Sequence, residues 1–352
     1  MGCQNVPVEY APALGIHPSA TRKFPIPMNE PLTDDQPIYF WHYRLRMKSL
    51  PNAKSASKEA MGVLLRIGGG FACLQPHEEL GDPSLDKCLA DLIGARHWPM
   101  VRRAVRCARF DAAARENGDS LFDELEVPTS HATVVKRNAE QIRQAVERGF
   151  AIVKLKCGTN LEADRKFVAD MSAEFPALRW RLDFNETGTA AGITAFLDGL
   201  PRDARRAIDY LEDPCPYSPE VWAALFRNTR VCLALDRESG PNKSGAQVMV
   251  IKPALDEPLL LGDAAAAGGQ RLVVTSYMDH PLGQCFAAWE AARLALMLPG
   301  CVDVCGLQTH HLAEDRLFGE RLGEWSPAFH PPEGTGLGFD DLLEALPWKR
   351  LA

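Results

Sequence analysis

The sequence predicts an α/β protein: a (β/α) TIM-like barrel joined to an α+β capping domain that the N-terminal region and the C-terminal tail build together. Three observations carry this. From about residue 130, short runs rich in Val, Ile and Leu alternate with helical patterns roughly every 20 to 30 residues. Eight such runs follow one another, the number a closed parallel barrel needs, although a doubly wound open sheet shares the rhythm. The segment before them places strands first and helices after, the order of an α+β unit.

Taken in order, residues 1 to about 37 are rich in Pro and polar residues without periodicity and read as an irregular lead-in. Ile38–Tyr43 and Met61–Ile67 read as strands, and Asp86–Leu92 and Val101–Arg115 as helices. The barrel runs are Ala132–Val135, Phe150–Lys156, Arg179–Phe184, Ala207–Leu211, Val231–Asp236, Val248–Lys252, Arg271–Thr275 and Val302–Cys305. Between the second and third, Leu161–Glu174 is expected to be helical, with Thr159 or Asn160 as its N-cap and Pro176 as its stop. The tail carries Pro, Gly and one short amphipathic stretch, Asp340–Leu346, and is expected to fold back onto the first unit. These readings divide the chain into a cap (1–128, lead-in included), a barrel (129–310) and a C-terminal segment (311–352).

Bulk properties narrow the function. At 352 residues, 46% hydrophobic and 24% charged, the composition is that of a soluble globular protein. A net charge of −7 argues against nucleic acid or an anionic membrane as the main partner. No stretch approaches the ~18 unbroken apolar residues of a membrane helix. The N-terminus lacks a basic start followed by an apolar core, so no secretory signal is expected. Ten cysteines are scattered singly; only Cys301 and Cys305 lie close, without a second pair or a His at zinc spacing. That pattern fits reduced thiols in the cytoplasm.

The strand ends carry the chemistry. In a barrel, catalytic residues come from the C-terminal ends of several strands. Reading those ends in order gives Lys154 and Lys156, Asp183, Glu212, Asp236, Lys252 and then Ser276. Alternation along a strand puts Lys154 with Lys156 on one face, and Arg181 with Asp183 on another. Each residue has a bland explanation. A lysine at a strand end is usually a solvated rim residue, Glu212-Asp213-Pro214 could open a turn, and Asp236 could cap a helix. Together these accounts must explain acids on three consecutive strands flanked by lysines on both sides, and burying so many charges without a partner or metal is costly. Chemistry supplies a purpose. Removing a proton beside a carboxylate develops negative charge that an oxygen-ligated Mg²⁺ can offset, and a lysine serves as base when a neighbouring cation such as Lys154 destabilises its ammonium.

At these residues the chain resembles the enolase superfamily, in the branch of muconate-lactonising enzymes. The matching segments are Val153-Lys154-Leu155-Lys156, Arg181-Leu182-Asp183-Phe184-Asn185, Tyr210-Leu211-Glu212-Asp213-Pro214, Ala234-Leu235-Asp236 and Val250-Ile251-Lys252-Pro253. The steps are 27 residues from Lys156 to Asp183, 29 on to Glu212 and 24 on to Asp236. Within the branch, Arg181, Thr275-Ser276 and Gly306-Leu307-x-Thr309 are most similar to the o-succinylbenzoate synthase family, and Met61–Ile67, Cys73–Pro76 and Leu80–Asp82 resemble its cap more loosely. A lysine base paired with Mg²⁺ is the established pattern of the superfamily.

The resemblance implies Asp183, Glu212 and Asp236 as Mg²⁺ ligands (Mn²⁺ substituting) and Lys156 as the base of a syn dehydration. It further implies Lys252 as an opposed cation, Lys154 as support for Lys156, and Arg181 and Ser276 as groups that place a small carboxylate substrate. The chain departs from the pattern where Arg237 separates Asp236 from Glu238-Ser239, which leaves Glu238 as an alternative ligand, and where only 16 residues join Asp236 to Lys252. The resemblance also leaves an N-acylamino acid racemase or dipeptide epimerase as an alternative. Against the epimerase, Asp279 and Asp303 lack the Asp-x-Asp spacing expected at the last strand. A non-catalytic binding barrel is the alternative of another class, disfavoured because it would have no need of so costly a charge cluster.

Overall fold

The computed structural model describes residues 36–48, 57–237, 239–240, 243–314 and 317–352. The expected irregular lead-in therefore lies, but for its last two residues, outside the described residues, as does Glu238.

The cap is a four-stranded sheet backed by two helices. Strands β1 (Ile38–Arg46), β2 (Glu59–Ile67) and β3 (Gly70–Leu74) run antiparallel in sequence order. The third strand was not expected. It arises because Gly68 and Gly69 take φ of 56° and 88°, which turns the chain back within two residues. Gly70 then lets a helix lie on the strand, since a Cβ there would fall 1.9 Å from the Ala108 carbonyl oxygen. Helices α1 (Leu85–Ile93) and α2 (Pro99–Asn117) follow. The Ser84 side chain caps the first, and Pro99 opens the second, whose stop is Gly118 in the left-handed conformation.

The barrel sheet holds β4 (Ala132–Val134), β5 (Ile152–Lys156), β6 (Arg179–Asp183), β7 (Ile208–Glu212), β8 (Cys232–Leu235), β9 (Val248–Ile251) and β10 (Arg271–Val274), all parallel and in sequence order. Helices α3 (Ala139–Glu147), α4 (Leu161–Glu174), α5 (Ala190–Asp198), α6 (Arg202–Arg206), α7 (Pro219–Thr229), α8 (Pro258–Ala267) and α9 (Pro281–Met297) connect them. Asn138, Asn160, Thr189 and Ser218 each cap a helix by accepting from a backbone N–H in its first turn. Between β8 and β9 no helix forms among the described residues, so the short connection noted in the sequence is a loop.

The eighth position is filled without a regular strand. Val302, Cys305 and Gly306 form isolated parallel bridges to Leu272, Ser130 and Thr275, so this one segment pairs with β10 on one side and with the entry to β4 on the other. The sheet thereby closes. Inside it Tyr210, Ala234, Val248, Val250 and Val273 pack together as a small apolar core.

Two seams join cap to barrel and tail. Arg103, on α2 and only 1% exposed, donates to Pro253 O at 2.9 Å, Glu257 Oε2 at 2.9 Å and Glu290 Oε1 at 2.6 Å. In the tail, α10 (Asp340–Glu344) ties to α2 through Arg115 and Asp340, and β11 (Lys349–Arg350) adds to β1 as an edge strand.

Candidate active site

The C-terminal ends of the strands open into a cavity of about 330 Å³. Strand register gathers the charged residues at its floor, where Lys154, Lys156, Asp236 and Lys252 line it and Asp183 and Glu212 are buried against them, outside the lining. Lys156 on β5 pairs with Asp183 on β6, Asp183 with Glu212 on β7, and Glu212 with Ala234 on β8. Neighbours in parallel register point to the same side, and Asp236 continues the phase of Ala234 two residues on. Lys252 likewise continues Val248 and Val250, both members of the interior core. β5 and β9 are separated by three strands in an eight-position barrel, so Lys156 and Lys252 stand across the floor from each other.

The charges are interleaved. Lys154 Nζ bridges Glu212 and Asp183, the latter at 3.3 Å, and Lys156 Nζ lies 2.8 Å from Asp183 Oδ2. Lys252 Nζ lies against Asp236. Burial works against the charged form of Asp183, yet the Lys156 and Lys154 ammoniums outweigh it and hold the carboxyl below its usual range. Burial also opposes charge on Asp236, and there Lys252 wins. Glu212 goes the other way: burial raises it more than Lys154 lowers it. Its Oε2 is buried with no hydrogen-bond partner. Among the described residues no three His, Cys, Asp or Glu side chains converge on one point. Ammonium groups lie between the carboxylates instead.

A second set of residues holds the first, and the sequence reading missed its roles. Asp213, in the left-handed region at φ 41°, turns its carboxylate onto the backbone N–H groups of Asp236 at 3.1 Å and Arg237 at 3.0 Å. The turn-opening role weighed for this position is thus joined by a clamp on the next strand end. Asn185 N donates to Asp183 Oδ1 at 3.1 Å, and Asp256 accepts from Lys252 N at 2.7 Å. Burial pushes Asp256 up to about 6.

Ser276 reaches the cavity, its hydroxyl 2.6 Å from that of Thr309. Arg181 does not. It is fully buried below the floor, bonded to Asp209 at 2.8 Å and Val304 O at 2.6 Å, with Asp303 at 3.5 Å. Alternation put it on the inward face correctly, but two residues lower, about 6.6 Å, is another layer of the barrel. His131, Thr133 and Tyr277 also line the cavity, as do His77 and Asp82 from the cap. Tyr277 OH donates to Asp82 at 2.8 Å, which holds the cap loop over the strand ends.

Known proteins share this architecture. Residues 38–114 match the family model described as "O-succinylbenzoate synthase, N-terminal domain", and residues 137–341 match "Enolase C-terminal domain-like". An o-succinylbenzoate synthase of Bdellovibrio bacteriovorus is 32% identical over 332 residues, covering 89% of this chain and 98% of that protein. Among solved structures, a dipeptide epimerase of Enterococcus faecalis, complexed with Mg and a dipeptide, superposes with a TM-score of 0.73 at 16% identity. That match covers 86% of this chain and 98% of the other. An N-succinyl Arg/Lys racemase of Bacillus cereus superposes with a TM-score of 0.71 at 16% identity, covering 88% and 96%.

Proposed function

The chain belongs to the enolase superfamily, within the family that holds the o-succinylbenzoate synthases, and on that premise we propose that it is an o-succinylbenzoate synthase of menaquinone biosynthesis. The reaction is the syn dehydration of 2-succinyl-6-hydroxy-2,4-cyclohexadiene-1-carboxylate to the aromatic o-succinylbenzoate. The observation that carries this reading is the arc of three carboxylates on adjacent strands between two opposed lysines, under a cap that matches the synthase model.

The residues fit Mg²⁺. Asp183, Glu212 and Asp236 offer only oxygen donors, the set a hard cation prefers, and the partnerless Glu212 Oε2 is a buried acceptor in want of a cation. Bound there, Mg²⁺ supplies the positive charge that a carboxylate-bearing carbon acid needs as its proton leaves. The chain's own residues do the rest. Lys156 Nζ takes the ring proton, the C–O bond on the same face breaks as the ring double bond forms, and the proton returns to the departing hydroxide as water. Lys252 stays an ammonium and offsets developing charge from the other face, with Asp256 holding its backbone. Lys154, bridging Asp183 and Glu212, orders both carboxylates.

The racemase and epimerase reading is favoured by the opposed lysines and by the folds of the two solved relatives. Against the epimerase, Asp303 is engaged with Arg271 at 2.6 Å and Asp279 is buried away from the cavity lining. No helix among the described residues is long and apolar enough to cross a membrane, and the nine described cysteines are free, which supports a cytoplasmic enzyme working on a small carboxylate. The deciding experiment is Mg²⁺-dependent turnover of the cyclohexadiene, followed as appearance of the aromatic product, beside α-proton exchange of N-acylamino acids in D₂O. Dehydration with little exchange is expected. Rapid exchange of both enantiomers without aromatisation would overturn the proposal.

A further inference from the structure

The cavity has two unlike halves. From β5 round to β9 its wall carries Lys154, Lys156, Asp236 and Lys252; from β10 round to β4 it carries His131, Thr133, Ser276 and Thr309. Among the described residues the strand ends of this second half carry no carboxylate or ammonium, Asp82 of the cap coming down onto Tyr277 from above, and one member of it is set with unusual definiteness.

That member is His131. Its Nδ1 lies 2.9 Å from Arg181 Nη1. A guanidinium has donors and no acceptor, so Nδ1 must accept, and the ring proton is left on Nε2. Burial, then the charges of Arg181 and Lys154, push protonation of the ring well below its usual range, which keeps it neutral. Arg181 cannot swing away: Nη1 also donates to Val304 O, Nε donates to Asp209, Nη2 faces Asp303 at 3.5 Å, and the guanidinium lies 4.7 Å over the Tyr210 ring. On the far side of the imidazole a Cβ at Gly306 would fall 2.8 Å from Cε1 and 2.9 Å from Nε2. Gly306 has no positive φ, so glycine serves there to make room for the ring. Nε2–H meets no partner among the described residues, and the residue borders the cavity. A donor held this firmly at a cavity wall is satisfied only by water or by a ligand that accepts from it.

We propose that His131 is a substrate-binding residue whose Nε2–H donates to an oxygen of the substrate's side arm, and that Arg181 is a positioning residue that fixes its tautomer. The inference rests on the synthase reading, in which the arm is the succinyl group and the ring carboxylate goes to the charged half. It also gives Arg181 a part in recognition without contact.

Two amide variants separate recognition from architecture. Asparagine places its amide near Nδ1, so His131→Asn keeps an acceptor for Arg181 and removes the donor to the cavity. Glutamine reaches the Nε2 position, so His131→Gln restores that donor. The measurement is calorimetric binding of o-succinylbenzoate and of benzoate, with Mg²⁺ present, to each protein. Wild type should bind o-succinylbenzoate at least tenfold more tightly than benzoate. His131→Asn should lose that difference while binding benzoate as before, and His131→Gln should recover most of it. ¹⁵N spectra of histidine-labelled wild type should show His131 as the Nε2–H tautomer. The proposal is wrong if both variants keep the wild-type difference, if glutamine rather than asparagine is the damaging change, or if the ring is found protonated on Nδ1. Failure of the synthase reading is separately visible, as wild type that does not aromatise the cyclohexadiene, and neither the binding difference nor the tautomer depends on turnover.

Discussion

Lys156 and Lys252 differ less in chemistry than in what surrounds them, and the difference can be tested one side chain at a time. Lys156 shares Asp183 with Lys154, whereas Lys252 faces Asp236 with its backbone held by Asp256. If only Lys156 moves protons, Lys156→Arg should lower turnover on the order of 10²–10⁴-fold, since arginine keeps the charge but not the proton transfer. Lys252→Arg should retain measurable dehydration, while Lys252→Met should fall by roughly 10²–10³-fold with the loss of the charge itself. Equal inactivation by both arginine variants would point to two bases and hence to a racemase. For the third ligand, Asp236→Asn should abolish turnover and Glu238→Gln should spare it; the reverse pattern would transfer the role to Glu238. The lysines and acids were legible in the sequence because, although one charge at a strand end is ordinary, these recur at successive ones. His131 was not, since a neutral ring just before a strand leaves no mark until Arg181 is seen against it.

Among the elements, the strands were legible as short runs rich in Val, Ile and Leu, the composition that parallel strands buried on both faces favour, even where β5, β6 and β7 carry charges. Leu161–Glu174 matches its expected span, with Asn160 as the cap, because cap, periodicity and Pro stop agree. The eighth position was legible as a run but forms only bridges, its backbone pairing too intermittently for a strand. β3 was hidden by a run of three glycines, two in the turn before it and one at its first position. At the opposite end of the barrel from the cavity, Arg181, Asp209, Arg271 and Asp303 form an ion-pair network across β6, β7, β10 and the eighth segment. Burial raises the Asp209 carboxyl, but Arg181 and Arg271 outweigh it and keep it below its usual range. A depressed carboxyl stabilises the fold fully above its unfolded value of about 3.9, and that contribution drains away as pH falls through the lower folded value. Asp209→Asn should cost about 2–3 kcal/mol at pH 7, since the fully buried Arg181 is left with only the more distant Asp303 while the part-exposed Arg271 keeps its own pair with Asp303. The gap between variant and wild-type urea midpoints should narrow only below about pH 4. A gap that stays constant from pH 7 to pH 3 would remove Asp209 from the network's energetics.

At the scale of the whole molecule, cap and barrel are bound through charge as well as apolar packing. Arg103 bridges Glu257, which it shares with Arg106, and the fully buried Glu290, which Arg293 also holds, and its bond to Pro253 O reaches the residue that follows Lys252. Arg103→Met should therefore destabilise by about 2–3 kcal/mol, since Glu290 loses one of its two buried guanidinium partners and keeps only Arg293. The double variant Arg103→Met/Glu290→Gln should recover part of that loss in urea unfolding. If the single variant unfolds at the wild-type midpoint, the seam is held by packing alone.

The edge strand β11 sets an order of events for the chain in the cell. Ile38 accepts from Leu351 N at 2.7 Å and donates to Ala352 O at 3.1 Å, so the first strand of the cap sheet finds its outer neighbour more than three hundred residues later. A ribosome delivers β1 long before β11, with the whole barrel made between them. Throughout that interval β1 presents an open edge, the kind of surface on which two nascent chains can pair with each other. Only β11 closes it, and a contact so distant in sequence is among the slowest to form.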